Sequence, residues 1–550
     1  MALKSQRHAA ILDLIAQQDI ETQEQMMIAL QERGIRSTQA TISRDIKELR
    51  IVRKSLDARK KSDIHWLYTV DVATLHSEKQ VFRQCRSKKV SPAVYDVYRI
   101  PKGLPAPAVR PVIVGFGPAG MFAGLALAEA GWQPIILERG LPAAERKEKV
   151  QAFWSGGSLD PECNVQFGEG GAGTFSDGKL NTGIKNIRSG WILRRLAEFG
   201  AGEEITYDAK PHVGTDVLIT VVQNLRQRIL SLGGEVRFQT RLDELITENG
   251  RLTGAWITTP EGRETLPCER LILAIGHSAR DTFTNLHAKQ VPMAPKPFSM
   301  GVRIEQLQET IDMAQYGDGP ETAALPPADY KLNVHLADGT SAYTFCMCPG
   351  GYVVAAASEP GRVVTNGMSN RARDGENANA ALLVTLQPED FPKPGPLGGM
   401  YWQRQIEEQA FRAGGGDYKA PAQLVGDFLA GKPSETVASV KPTYRPGITL
   451  CDLNKVLPER LTSVLRAALP ELDKRLPGFA SPEGILTAPE TRSSSPVRIL
   501  RDEDCQSSVR GLFPCGEGAG YAGGIVSAAV DGLICAEALM KSYEIQADLN

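Results

Sequence analysis

Apolar positions in the first fifty residues recur with a helical period. Ala9, Ile11, Leu12 and Ile15 form one amphipathic stretch. A second follows the capping-box sequence Thr22-Gln-Glu-Gln25, with Met26, Ala29 and Leu30 on its apolar face and Gly34 at its end. A third, capped by Ser37 or Thr38, runs through Ile42, Ile46 and Leu49, leaving Ala40, Ser43, Arg44 and Lys47 on the opposite face. From residue 51 the pattern becomes strand-like, with two arms over residues 51–70 flanking the basic tip Arg59-Lys-Lys61. Three short helices and a basic hairpin predict a winged helix-turn-helix. A helix near 77–85 and a strand near 95–100 predict a small α/β segment. Four prolines within 101–111 then read as a linker. Beyond it, residues 112–114, 134–137 and 271–275 are apolar throughout and read as short buried strands.

Composition bounds this picture. The 550 residues provide for about three or four domains of ~150 residues. With 42% hydrophobic and 23% charged residues, the chain has the composition of a soluble globular protein. No apolar run approaches the ~18 residues of a membrane helix, and the first residues lack the long apolar stretch of a signal peptide. Nine cysteines without regular spacing point to reduced thiols and a cytoplasmic protein. Neither paired C-x-x-C nor H-E-x-x-H is present, so no metal site is expected. The net charge of −2 hides an asymmetry. Residues 1–61 hold 12 Lys/Arg and 8 Asp/Glu, a local +4, against −6 for the remainder.

The strongest motif follows the linker. Val112-Ile-Val114 runs into Gly115-Phe-Gly117-Pro118-Ala119-Gly120 and a helix of small residues, and a second strand ends at Glu138-Arg139. The glycines serve a tight turn, close backbone approach to a pyrophosphate, and close helix packing. The helix N-terminus offers amide donors to phosphate, and Glu138 stands where an acid accepts ribose hydroxyls. Three distant segments favour FAD over NAD. The first is Leu271-Ile-Leu-Ala274-Ile-Gly276, an apolar strand ending in Ala-x-Gly. The second runs from Gly511 through Gly516-Glu517-Gly518 to Gly523-Gly524-Ile525. The third, Phe167-Gly-Glu-Gly-Gly171-Ala172-Gly173-Thr174, suits close passage of backbone along a flat ring. No second G-x-G-x-x-G is present for a separate NAD(P)H domain, and the C-x-x-C or C-x4-C redox pair of disulfide reductases is absent.

Over residues ~51–550 the chain resembles a bacterial family of uncharacterised FAD-dependent dehydrogenases (NAD(P)/FAD-dependent oxidoreductases). The resemblance rests on Lys54-Ser-Leu-Asp-Ala-Arg-Lys-Lys61, the stretch from Asn164 to Lys179, Lys210-Pro-His-Val-Gly-Thr-Asp216, Glu359-Pro-Gly-Arg-Val-Val-Thr-Asn-Gly367 and Glu517-Gly-Ala-Gly-Tyr-Ala-Gly-Gly524. It implies a Rossmann-type FAD domain interrupted by a substrate domain. Lys4-Ser-Gln-Arg-His8, Asp19-Ile-Glu-Thr-Gln23 and Thr38-Gln-Ala-Thr-Ile-Ser-Arg-Asp-Ile-Lys-Glu-Leu49 resemble the DNA-binding domain of arginine repressors. That resemblance turns Gln39, Ser43 and Arg44 toward DNA, with Lys47 on the same face. Two departures stand out. The repressor's arginine-binding C-terminal domain is missing, and the first strand and helix of the flavoprotein family's N-terminal ferredoxin-like domain are replaced. Either the chain is a DNA-binding flavoprotein or its head is a fused passenger.

The resulting expectation is an α/β protein with five segments. They are a winged-helix domain (1–55), a small ferredoxin-like α/β remnant (56–104), the first part of a FAD-binding domain (111–290), a substrate or cap domain (291–455) and the C-terminal FAD part (456–545). The expected function is a FAD-dependent oxidoreductase acting on an unknown small organic substrate, with NADH or NADPH an eligible electron donor. A flavin-responsive regulator of the arginine repressor type is the alternative. Catalytic candidates are Cys348 with Cys346 on a strand-like stretch, Cys163 before the glycine cluster, His277 after the Ala-Ile-Gly strand end, and Lys179. Lys179 and Arg303 would hold an anionic substrate or the flavin edge. A buried structural role competes at each. As residues i and i+2 of a strand, Cys346 and Cys348 share a face, and a disulfide between them would be strained.

Overall fold

The computed structural model describes residues 23–38, 51–71, 89–93, 97–319 and 324–547, with isolated positions 7, 10, 11, 14, 41, 77, 80, 85 and 322. They form two units. One comprises Met1–Val97, Glu203–Pro211 and Gln315–Pro326, and the other Tyr98–Gly202, His212–Ala314 and Pro327–Asn550.

In the first unit, Met26, Ala29 and Leu30 of the Gln23–Glu32 helix meet Ile11 and Leu14 in a small buried cluster, as their spacing predicts. Gly34 stops the helix in the left-handed region (φ 75°), and Ile35 N–H reaches back to the Leu30 carbonyl at 2.8 Å. The expected hairpin is present, with Ile51–Asp57 pairing antiparallel to His65–Val70. Lys54 is joined from outside. Its N–H donates to the Tyr207 carbonyl (2.9 Å), and its carbonyl accepts from Ala209 N–H (2.8 Å). Its ammonium lies 4.1 Å from the Trp66 ring centroid. At the tip, Arg59 folds back onto Asp57 (Nε–Oδ1 2.8 Å) and holds that carboxyl well below the usual range. Of the third helix only Thr41 is seen, in helical conformation, so Gln39, Ser43, Arg44 and Lys47 lie outside the described residues. The strand expected near 95–100 is not formed over 97–100. Tyr98 is fixed there by its side chain instead, its hydroxyl donating to Glu537 at 2.6 Å and its ring meeting Trp191 edge-on.

The second unit contains two principal sheets. Five parallel strands run in the order Leu512–Pro514, Leu271–Leu273, Val112–Val114, Ile135–Leu137 and Glu235–Arg237. The first four are buried along their whole length, which is why they read as unbroken apolar runs. The antiparallel sheet Arg241–Glu248, Arg251–Thr259 and Gly262–Pro267 supplies Leu242, Leu245, Leu252 and Ile257 to the same cluster as Val112, Val114 and Leu273. The helices Pro118–Glu129 and Ile525–Ala547 pack together, and a Cβ at Gly532 would overlap the Ala119 carbonyl.

The larger sheet has seven strands in the order Asn333–His335, Ser341–Cys348, Asn377–Leu386, Phe298–Leu307, Ile485–Glu490, Ala420–Leu424 and Ile448–Leu450. It thus draws strands from residue 298 through residue 490. An ion network joins it to the parallel sheet. Arg280, at the start of the helix Arg280–Ala288, donates twice to Glu407 (2.7 Å each) and once to Glu359 (2.7 Å). Arg492, just past the last residue of the Ile485–Glu490 strand, donates to the other side of Glu407 (2.9 and 3.1 Å) and to Ser278 (3.0 Å). Glu407 is fully buried, and the two guanidiniums hold its carboxyl below the usual range against the opposing effect of burial. Among the described residues no helix is long and apolar enough to cross a membrane. Replacing Glu407 with alanine strands two buried cations, so chemical denaturation is expected to show a loss of about 3–5 kcal/mol.

Candidate functional site

The three glycine clusters meet at the C-terminal ends of the parallel strands. Gly115 leaves the Val112–Val114 strand at φ 98°, where a Cβ would overlap the Ala274 carbonyl. A Cβ at Gly120 would overlap the Gly115 carbonyl. Gly117 caps the helix Pro118–Glu129, and Pro118 fills its first position. The first turn, with Ala119 and Gly120, presents N–H groups that have no intrahelical partner. Gly171 adopts φ 62°, and a Cβ on it would stand 2.9 Å from Gly117 Cα. Gly173 packs on Ile525, within the short turn Ala172–Phe175 that also holds Thr174. Gly276 (φ 66°) and Gly523 face open space, with no heavy atom within 4 Å of a built Cβ. Bare backbone therefore faces bare backbone around a cradle with open positions.

Glu138 organises this cradle. It is almost fully buried, and its carboxylate accepts from Phe116 N–H, Gly140 N–H and Gly168 N–H, each at 2.9 Å. A carboxylate offers about four acceptor sites, which leaves room for one further donor such as a ribose hydroxyl. Arg139 is engaged elsewhere, by Glu162 (2.8 Å) and by both oxygens of Asp281 (3.0 and 3.1 Å), and lies over the Phe167 ring.

On the other side, His277 Nδ1 lies 3.2 Å from Glu517 Oε1, which brings two predicted residues together across the chain. His277 Nε2 is buried without a partner. Gly516 turns at φ 75° and gives its N–H to Asp531 Oδ2 (2.7 Å), and Arg501 clamps Asp531 through two bonds (2.6 and 3.0 Å). Cys515, Asp531 and Cys535 place one ligand atom each within 4.8 Å of one another, and Arg501 is the cation that Cys535 and Asp531 share. Sequence reading passes over Arg501 and Asp531 as supports. The available signal is Asp531 within the apolar first turns of the helix Ile525–Ala547.

The catalytic candidates separate. Cys163 lies buried near Arg146, with burial pushing its thiol up. Lys179 and Cys348 come together. The Lys179 ammonium donates to the Met347 carbonyl and pairs with buried Asp177 (3.5 Å). His212 Nε2 lies 3.4 Å from Asp177 and Arg373 Nη2 at 2.9 Å, and together with Lys179 they hold Asp177 well below its usual range despite burial. Burial lowers the His212 imidazole below its ordinary value, with Asp177 acting in the opposite direction. Arg303, fully buried, donates to Asn379 (2.9 Å), lies 3.5 Å from Cys348 Sγ, and faces Glu490 at 3.4 Å. Burial raises Glu490 to about 7, with Arg303 acting in the opposite direction. No sequence pattern marks Glu490.

Comparison with known proteins follows this division. The family described as "FAD-dependent protein, C-terminal domain-like" matches residues 297–493, and the arginine repressor DNA-binding domain matches residues 2–65. A Clostridium beijerinckii protein described only as uncharacterised is 47% identical over 506 residues, covering 91% of this chain and 94% of its own. The arginine repressor of Thermoanaerobacter sp. is 55% identical over 51 residues, and the chain spans about a third of its length. Among solved structures, a flavin-dependent brominase Bmp2 variant (13% identity, 79% of this chain and 80% of that one, TM-score 0.36) and the E. coli quinol fumarate reductase FrdA (13%, 80% and 73%, TM-score 0.36) are loosely similar, and no residue role is drawn from them.

Two outcomes follow from this geometry. Glu138→Gln puts an amide donor against backbone donors, so purified protein is expected to retain about ten-fold less flavin, read from its visible absorbance, and to lose about 1–3 kcal/mol of stability. Glu490, with its folded-state value raised above the unfolded one, binds its proton more tightly when folded. Its contribution is therefore favourable below pH ~4.5 and is lost as pH rises through about 7. The difference in melting temperature, wild type minus Glu490→Gln, is expected to fall between pH 5 and pH 8.

Proposed function

Because the chain belongs to a family of FAD-dependent proteins, we propose that it is a FAD-dependent oxidoreductase that either dehydrogenates a small organic substrate, whose two electrons bound FAD would take, or reduces one with electrons from NADH or NADPH. The observation carrying this reading is the cradle of Gly115–Gly120, Gly171–Gly173 and Gly516–Ile525, where backbone meets backbone and His277 Nε2 is buried without a partner. In this reading the first turn of the helix Pro118–Glu129 holds the pyrophosphate, Glu138 takes a ribose hydroxyl, and Glu517 serves the ribityl chain. Ala274, Gly276, Gly171–Thr174 and Gly523–Ile525 complete the walls. Bound FAD supplies the two-electron chemistry.

The chain's own residues orient and protect. Arg501 and Asp531 fix the Gly516 turn. Glu517, accepting from His277 Nδ1, would fix the tautomer that leaves Nε2 as an acceptor. Lys179, Arg303 and Arg373 bring positive charge to the face of the seven-stranded sheet, which suits an anionic organic substrate. Glu490, poised near neutrality, can hold or release a proton there.

The match over residues 2–65 favours a second activity, DNA binding through Gln39, Ser43, Arg44 and Lys47 in a winged-helix head, with flavin state acting on it. A cytoplasmic location suits both readings.

One titration tests the first reading. Purified full-length protein should show a yellow flavin band that anaerobic NADH or NADPH bleaches, and its absence even after FAD is added would overturn the enzyme. For the second, the affinity for an arginine-operator-like duplex should fall steeply with salt, with a log–log slope of about −0.9 per phosphate contact. Arg44→Ala should remove that binding and leave the flavin band intact.

A further inference from the structure

Cys346 and Cys348 lie where the Ser341–Cys348 strand slips its register. Phe345 faces Ala381 and Cys348 faces Asn379, so the strand carries one extra residue, and Cys346 takes φ 43°. That left-handed conformation is costly for a residue with a Cβ. In an unbroken strand, residues i and i+2 stand roughly 7 Å apart. Here the Cys348 thiol donates back to the Cys346 carbonyl at 3.3 Å. The bulge therefore departs from regular strand geometry and turns the Cys348 thiol back onto Cys346.

Two cations secure the bulge. Arg303 Nη2 donates to the Cys346 carbonyl at 2.9 Å, and Lys179 to the Met347 carbonyl. Asn379 orients Arg303 through its Oδ1, while its own Nδ2 is buried without a partner. Cys346 is half-buried and Cys348 fully buried. The neighbouring Cys348 thiol, with Arg303 and Lys179, lowers the Cys346 thiol, and burial raises that of Cys348. The half-buried cysteine thus carries the more nucleophilic sulfur, and burial favours the protonated form of the inner one.

We propose that Cys346 and Cys348 form a redox-active dithiol that reduces low-molecular-weight disulfides, an activity separate from the FAD reading. The Cys346 thiolate attacks one sulfur of R–S–S–R, forming a Cys346–S–S–R bond and releasing R–S⁻. The Cys348 thiol gives its proton to that departing thiolate and attacks Cys346 Sγ. The mixed disulfide breaks, and the second thiolate leaves and takes a proton from water, replacing the one Cys346 had lost. Two electrons and two protons pass in total from the pair to the disulfide, leaving a Cys346–Cys348 disulfide and two R–SH.

Folded full-length protein treated with oxidised glutathione tests this by peptide mass mapping. The expected product has lost two hydrogens within the tryptic peptide spanning residues 332–362 and retains no glutathione. Cys348→Ser should trap glutathione on Cys346, and Cys346→Ser should slow the reaction about ten-fold or more. Three results would overturn the proposal: a wild-type adduct that persists on Cys346, oxidation confined to other cysteines, or a Cys346→Ser rate equal to wild type. Each variant is checked for native circular dichroism, and the wild-type map decides the question without relying on a variant.

Discussion

Three backbone N–H groups, from Phe116, Gly140 and Gly168, point at one place, and donors cannot satisfy one another. The Glu138 carboxylate resolves this by accepting from all three, and in doing so it fixes the first glycine turn against the second glycine cluster. Once Gly168 is held, Gly171 is carried to within a Cβ's breadth of Gly117. The rest of the cradle inherits its spacing from that contact. The carboxylate also brings negative charge beside the N-terminus of the helix Pro118–Glu129, where the macrodipole favours it. An apolar residue at 138 would leave donors buried and unmet, and the cost of each exceeds what a typical hydrogen bond contributes.

The same logic governs the seven-stranded sheet with the signs reversed. There the buried groups are cations. Arg280 and Arg492 converge on Glu407, and Arg303 lies among Asn379, Glu490 and the Cys346 carbonyl. Buried pairs of this kind contribute little net stability over an apolar core, because desolvation offsets attraction. They do fix orientation, since a guanidinium surrounded by directional acceptors has one favoured pose. Geometry at the candidate catalytic face is thus set by buried cations, whereas at the cradle it is set by one buried carboxylate and by glycines that let backbone approach backbone.

This contrast explains what the sequence makes legible. Glycines required by backbone contact stand in short local motifs, so Gly115–Gly120, Gly171–Gly173 and Gly516–Gly524 can be read directly, as can the helix ending at Gly34 and the hairpin over 51–70. Charge networks are assembled from remote positions. Arg303 and Glu490 are 187 residues apart, and neither lies in a motif. The register slip at Cys346 is invisible for a related reason. Strand periodicity assigns i and i+2 to one face at fixed spacing, but the extra residue is visible only in the pairing with the strand Asn377–Leu386. Glu138 shows the intermediate case. Its place at the end of the second strand is what leads to the proposal of a ribose-binding role, while its three structural bonds emerge only in the folded chain.

The pairing of Lys54 with residues 207–209 bears on how the chain assembles during synthesis. The hairpin Ile51–Asp57 with His65–Val70 emerges early, yet the partners that complete Lys54 are translated only after the glycine clusters at 115–120 and 168–173. An isolated two-stranded hairpin is marginal in water, and its open edge invites pairing with other chains. The first unit therefore cannot finish folding in the order in which it leaves the ribosome. The Lys54 backbone groups lack these partners until residues 203–211 have been translated.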